Sequence, residues 1–514
     1  MSSYLYPGVY IEEIPSGSRP VEGVATSTTA FVGQAFRGPA NHPVLIGTWD
    51  DYLAQFADYA SPSGVTNTND YMALAVRAFF QNGGKSAYVC RLTAADPSTA
   101  NRNFNDDSDD LVLTVHASSE GAWANDLRVL ITRTAEDFSL EVGRLDSEGA
   151  FQALPGERFE GLSLDPTDDS FAEKIVNSSS RLVLVTVADG VDELPAETDP
   201  TGEQLGGAGG NAGAASAPAD DDYQTFYSTT LRKVRDFSIM VLPGQFWPDD
   251  GSNNVAIDHT VTFCESTMRA VVIVDPPPNT EFDSANAVTD LNLPTSTYSV
   301  LYYPFATIQN PLYNADSNPK APTTLNIAPS AIAAGMWSRI DGKRGVWKAP
   351  AGVEARVSVS GLQYNVEDFE QSYLNPLGIN CLRSRAGYGS VIWGARTLAT
   401  KADPEWRYVP VRRTAIYIEQ SIYNGIQWAV FEPNDEPLWS SLRANVGSFM
   451  NGLFRAGAFQ GGTANDAYFV RCGLGDTMTQ GDIDRGQLIL VVGFAPLKPA
   501  EFVILRIQQK VNQE

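Results

Sequence analysis

Side chains capable of chemistry are few in this chain and widely spaced. His42, His116 and His259 lie far apart, and Cys90, Cys264, Cys381 and Cys472 form no Cys-x-x-Cys pair. A zinc site, or a nucleophile with its base, needs such groups brought together, and nothing in the spacing does so. Four dispersed cysteines fit reduced thiols of a protein made in the cytoplasm better than a disulfide framework. Gly207, Gly209 and Ala212 have the spacing of a dinucleotide loop, but no strand precedes them and they sit in a glycine-alanine tract. Residues 202–222 therefore read as a low-complexity surface linker. Asp106-Asp107-Ser108-Asp109-Asp110 and Asp220-Asp221-Asp222 could offer carboxylates to a hard cation. Neither run continues with the glycine and glutamate of a calcium loop, so both read as solvated acidic turns. Arg383, Arg385, Arg396, Arg407, Arg412 and Arg413 suggest an anion site; with Glu405, Glu419, Asp435 and Glu436 nearby, ion pairs at an interface are the better reading. No catalytic residue, cofactor or metal is expected.

The elements around these residues say more. Tyr6-Pro7-Gly8-Val9-Tyr10-Ile11-Glu12-Glu13-Ile14-Pro15 is an alternating β-type segment with a spacer, 16–20, behind it and no partner at hairpin distance. Glu501-Phe502-Val503-Ile504-Leu505-Arg506-Ile507 reads the same way at the other end. A lone strand must pair its backbone at home or add to the sheet edge of a neighbour. Between them, strands at 29–35, 43–46 and 87–92 alternate with helices at 49–57 and 72–80. The same α/β grammar returns after residue 237, with strands at 237–242, 270–274 and 298–303.

The interruption, 97–228, is β-rich, and about 26 acids against about 7 bases fall in the window 97–230, most of a net charge of −25. Such a charge opposes nucleic acid as a partner. The run 488–495 reads as a buried strand too short to span a membrane, no secretory leader is visible, and no membrane insertion is expected. Leu438, Trp439, Leu442, Val446, Phe449, Met450 and Leu453 recur at helical spacing behind Pro437. The expected fold is a multidomain α/β (α+β) protein. Residues 1–24 form an N-terminal arm, 25–96 with 229–350 a discontinuous α/β domain, and 97–228 an inserted acidic domain. An α+β domain over 351–497 and a C-terminal arm over 498–514 complete it.

Several stretches carry a resemblance. The opening segment with Val24-Ala25-Thr26-Ser27-Thr28-Thr29-Ala30-Phe31-Val32-Gly33 is similar to the start of contractile tail sheath proteins, found in phage tails and phage-tail-like injection systems. The similarity continues in Leu374-Asn375-Pro376-Leu377-Gly378-Ile379-Asn380, Val391-Ile392-Trp393-Gly394-Ala395-Arg396-Thr397-Leu398 and Trp406-Arg407-Tyr408-Val409-Pro410-Val411-Arg412-Arg413. It closes in Val492-Gly493-Phe494-Ala495-Pro496-Leu497-Lys498-Pro499-Ala500-Glu501-Phe502. The resemblance implies a non-enzymatic subunit that polymerises as hexameric rings in a helical lattice around an inner tube protein, with baseplate, terminator or cap, and sister sheath proteins as neighbours. Assembly would occur in the bacterial cytoplasm, as part of a particle that can be released.

By the same resemblance Val9, Tyr10, Ile11 and Glu12, and Val503, Ile504, Leu505, Arg506 and Ile507, would be strands donated between subunits. Gly17, Pro20, Pro496 and Pro499 would be hinges, and Arg412, Arg413, Glu419 and Arg443 charges facing the tube or a neighbour. Residues 351–497 would lie inside and the acidic insert outside. A non-contractile surface-lattice or adhesin protein and a hydrolytic α/β enzyme are the competing readings.

Overall fold

The computed structural model of the chain describes residues 20–94, 96–191, 193–207, 209–316 and 318–502. The expected arm strands at 9–12 and 503–507, and Gly17, lie outside these residues. The chain divides into two compact units, Ala25–Ile416 with Lys498–Glu514, and Met1–Val24 with Tyr417–Leu497.

In the larger unit β1 (Thr29–Gly33) is buried at every position, and β2 (Pro43–Ile46) follows it. Thr48 opens α1 (Trp49–Gln55) with a capping box: its hydroxyl accepts from Asp51 N–H, and the Asp51 carboxylate accepts from Thr48 N–H. Asp70 caps α2 (Tyr71–Gln81), whose Met72, Val76 and Phe79 face the core, and β3 (Ala87–Arg91) comes next.

The insert then builds β4 (Asn101–Asn105), β5 (Leu111–Ala117), β6 (Arg128–Arg133), β7 (Phe138–Leu145), β8 (Phe151–Leu162), α3 (Ala172–Ser179) and β9 (Val183–Val187). Two short strands, β10 (Glu203–Gln204) and β11 (Gly210–Asn211), complete two four-stranded antiparallel sheets, ordered β10-β6-β7-β8 and β11-β4-β5-β9. Val115, Val129, Phe138, Leu140 and Val185 close a core separate from that of the α/β body. The linker reading of 202–222 is thus overturned. The tract supplies the edge strand of each sheet, and its glycines allow backbone contact: a Cβ on Gly213 would lie 2.4 Å from the Gly121 carbonyl oxygen. Asp220, Asp221 and Asp222 are the first turn of α4 (Asp220–Thr229), where carboxylates meet the positive end of the helix dipole.

The body resumes with α4 itself, whose Tyr223, Phe226 and Tyr227 are buried in its core, so the insert ends before residue 220 and not at 228. β12 (Ile239–Phe246), α5 (Val255–Thr267), β13 (Val271–Asp275), α6 (Ala285–Thr289), β14 (Ser299–Tyr303), β15 (Ala306–Gln309) and β16 (Thr324–Ile327) follow. It continues through α7 (Pro329–Arg344), β17 (Gly361–Leu362), α8 (Asp368–Leu374), β18 (Ile379–Arg385), β19 (Gly389–Ile392) and α9 (Val409–Gly425). The main sheet runs β19-β18-β14-β13-β12-β1-β3-β2, parallel from β18 to β3, with antiparallel edges. Phe31 stands in register with Val241 on one side and Val89 on the other. Because Tyr302 pairs with Asn380, the α/β body does not stop at residue 350, as the sequence suggests, but takes in β18 and β19 and reaches Ile416. At the carboxyl ends of the strands, where doubly wound sheets place ligands, the crevice is filled by Tyr71, Phe246 and Phe305. They leave about 30 Å³, room for roughly one water.

Arg37 fixes the insert to this body. Its Nε donates to Ala57 O (2.8 Å), Nη2 to Ala54 O (2.7 Å) and Nη1 to Arg181 O (3.3 Å), and its guanidinium lies over the Trp123 ring. Burial lowers its pKa to about 10, so it stays cationic at neutral pH.

The smaller unit contains α10 (Glu436–Arg455), α11 (Ala464–Ala467), β20 (Tyr468–Arg471), α12 (Gln480–Asp484) and β21 (Val491–Phe494). Asp435 caps α10 and Pro437 sits in its first turn, with Leu438, Trp439, Leu442, Val446, Met450 and Leu453 buried as the periodicity requires, while Phe449 on the same expected face is only half-buried.

Candidate assembly surfaces

The roots of both terminal segments are held. In the smaller unit Val24 N–H donates to Ser421 Oγ at 3.1 Å, and Val21 is buried against Gly425, so the N-terminal segment is already docked by residue 21. Pro20 is exposed just before it.

The same unit presents an open ribbon. β20 and β21 pair only with each other among the described residues, with Tyr468 opposite Phe494 and Val470 opposite Val492. The long buried strand expected over 488–495 is therefore four residues, and it is half-exposed because only one partner strand covers it. One side of the ribbon rests on Phe459, whose ring is 6.2 Å from Tyr468 and 5.6 Å from Phe494. Phe469 lies over its partner Gly493 in the space a Cβ would take, yet remains 46% exposed, and Val491 is 40% exposed. A two-stranded ribbon with apolar surface and unpaired edges is marginal alone and gains main-chain hydrogen bonds from any added strand. In the same unit, the turn after α9 holds Phe431 at φ 70° and wholly exposed.

In the larger unit four segments that carry the sheath resemblance meet at one ion pair. Arg396 Nε donates to Glu501 Oε1 at 2.9 Å and Nη2 donates to Oε2, a two-pronged contact. Tyr408 OH donates to the same carboxylate at 3.3 Å, and Arg396 Nη1 donates to Asn375 O at 3.0 Å. Asn380, fully buried on β18, holds the Arg396 backbone from both sides: its side chain accepts from Arg396 N–H at 2.7 Å and donates to Arg396 O at 2.8 Å. Sequence reading singled out Arg396 and Glu501 separately and missed that they meet; the shared membership of their segments in one resemblance was the available signal.

The four proposed surface charges part company. Arg412 and Arg413, expected as surface charges, are buried within the chain. Arg413 makes a two-pronged pair with Asp341 (3.0 and 2.6 Å), donates to Thr26 O and stacks on Trp337. Arg412 lies flat on Trp406, 3.5 Å from the ring centroid, and donates to Tyr298 OH. Both point inward from α9 because α7 offers Trp337 and Asp341 to Arg413, while Tyr298 and Trp406 flank Arg412, so aromatic faces and a carboxylate take the place of water. Glu419 is exposed further along α9. Arg443 is partly exposed, pairing with Glu436 and donating to Cys472 O. Pro496 is half-buried in a bridge with Phe459, and Pro499 is half-buried as well. All four cysteines are buried thiols, and no three metal-binding side chains cluster among the described residues.

Comparisons with known proteins agree with this arrangement. Residues 218–398 match the central domain of phage tail sheath proteins, and residues 401–510 match the phage tail sheath C-terminal domain, together more than half of the chain. The tail sheath protein of Burkholderia phage BcepMu is 26% identical over 478 residues, 90% of this chain and 88% of that protein. The tail sheath protein of Vibrio phage KVP40 is 27% identical over 176 residues, which span 34% of this chain and only 25% of that longer protein. In fold, the sheath complex of an extracellular contractile injection system (PVC), in its contracted state, superposes with a TM-score of 0.59 at 24% identity, covering 99% of each chain. With both domain types matching in order over more than half of its length, the chain belongs to the tail sheath protein family.

Proposed function

We propose that this chain is the repeating subunit of a contractile sheath, stacking as rings around an inner tube and shortening from a metastable extended lattice. The observation that carries the reading is the ordered match of 218–398 and 401–510 to the two sheath domains. The β20–β21 ribbon supports the way subunits would join. Residues 9–12 and 503–507 of neighbouring copies would add as strands to its free edges, covering Phe469 and Val491 as they pair.

Contraction in this scheme is a change of lattice in which strand pairing persists and the units move as bodies. The chain crosses between its units at 24/25, 416/417 and 497/498, and Pro20, Pro496 and Pro499 flank the first and last of these crossings. No nucleotide is needed if the contracted lattice buries more surface than the extended one. The acidic insert faces outward, and the exposed Glu419 and partly exposed Arg443 would face a tube or neighbour. Hexameric rings, a baseplate contact and assembly in the bacterial cytoplasm belong to the same proposal. No helix among the described residues is long and apolar enough to cross a membrane.

Electron microscopy of the full chain co-expressed with a tube protein, beside a version lacking residues 1–15, tests the reading. Tubes from the full chain that are lost on deletion are expected. Equal tubes from both would remove the N-terminal strand from assembly, and monomers from both would overturn the sheath subunit.

A further inference from the structure

The described chain changes character between two consecutive residues. Glu501 has its carboxylate gripped by Arg396 and Tyr408, with the Glu501 side chain 15% and the Arg396 side chain 8% exposed, whereas Phe502 is 74% exposed. The grip is backed by rigid structure. Arg396 hangs from Asn380, which sits on β18 inside the main sheet and also donates to Leu301 O on β14 at 3.0 Å. Arg396 and Tyr408 stand opposite each other in a bridge, with Thr397 N–H donating to Arg407 O at 2.8 Å, so both donors are fixed by one small ribbon.

We propose that Glu501 is a positioning residue that roots the C-terminal arm in the α/β unit, so that the arm leaves its body after residue 501 and not at Pro496 or Pro499. This rests on the reading of the C-terminal segment as a strand-donating arm. A buried ion pair is a poor source of net stability, because desolvating both groups offsets most of their attraction. What it supplies is geometry: a planar guanidinium accepts a carboxylate in one orientation, which fixes the direction of the chain at that point. Ala495, six residues earlier, is held instead within the smaller unit, its N–H donating to Ala467 O and its carbonyl accepting from Gln460 N–H. The segment 496–500 joins those two fixed points, and motion of the α/β unit carries the arm with it.

A spin label at Ala500→Cys in the full chain reports the grip directly, since Ala500 is exposed and the four native cysteines are buried. In the wild-type background the label should move slowly. Glu501→Gln, which keeps the shape and removes the charge, should shorten its correlation time at least three-fold. Tyr408→Phe should do so by a smaller factor, and Glu501→Asp should fall between Gln and wild type. Tyr408→Phe removes one hydroxyl and serves if Glu501→Gln fails to fold. Identical spectra in wild type, Glu501→Gln and Tyr408→Phe would overturn the root.

Electron microscopy of Glu501→Gln co-expressed with the tube protein then tests its consequence. Disordered ring stacking is expected, and wild-type helical order would remove Glu501 from arm positioning. Absence of any assembly from the wild-type chain would count against the arm itself, and the label would still decide the grip.

Discussion

At the scale of single residues, Asp275 shows how burial and titration combine. It ends β13 with 2% exposure, and its carboxylate accepts from Ser330 N–H (2.9 Å) and Ser330 Oγ–H (2.6 Å). Those donors belong to the first turn of α7, where Ala328 at the cap position has no side chain to offer. Burial pushes the Asp275 carboxyl up to about 7. A carboxyl raised in the folded state favours folding fully below its unfolded value, near 4, and loses that contribution as pH rises through 7. Over that window the wild-type chain should lose up to about 4 kcal/mol from this group. Asp275→Asn keeps an acceptor for Ser330 and does not ionise, so its melting temperature should fall less than that of wild type between pH 5 and 8. Parallel curves in a fluorimetric pH series would refute the assignment.

At the scale of elements, the glycine-alanine tract makes the sharpest prediction. A linker tolerates substitution within about 0.5 kcal/mol. An edge strand in backbone contact does not. Gly213→Val places carbon 2.4 Å from Gly121 O and 2.6 Å from Ala100 N, and should destabilise the insert by about 2 kcal/mol or more. Denaturant unfolding followed by Trp123 fluorescence reads this, and an unchanged midpoint would restore the linker. The tract was illegible because short strands held by backbone bonds leave no apolar pattern; their neighbours Val129 and Leu205 supply the burial.

Other elements were legible where local rules sufficed. The apolar spacing of α10 behind Pro437 and the apolar runs of β1, β3, β13 and β14 appear in the sequence as they do in the fold, whereas the Asp70 cap of α2 is recognised only in the fold. Helix α7 is buried on nearly all sides and so shows no amphipathic period, and β18 carries Asn380, Arg383 and Arg385 within its span. Arg412 and Arg413 read as surface charges because isolated guanidiniums are seldom buried. Of their partners only Trp406 is near in sequence; Asp341, Trp337 and Tyr298 lie far along the chain, beyond any local pattern. The same distance hid the meeting of Arg396 with Glu501.

At the scale of the whole molecule, the insert has its own core and its two ends touch. Ser98 and Ala214 exchange backbone hydrogen bonds at 2.8 and 3.0 Å, and Ala94 N–H donates to Ser216 O. Replacing residues 99–213 by a glycine-containing turn should therefore leave the eight-stranded body folded, with about 16 fewer net negative charges. Circular dichroism and a retained melting transition check it; insoluble product would show that Arg37 and its neighbours need the insert. The placement of that insert also sets a timetable for synthesis. β1 is an interior strand of the sheet, yet Phe31 must wait for Val241, about 210 residues later, before its second flank is covered. At roughly 5–20 residues per second a ribosome takes on the order of 10–40 s to deliver that partner. During this interval the insert can complete its own core, so that one finished globule already stands beside an unfinished sheet when β12 emerges.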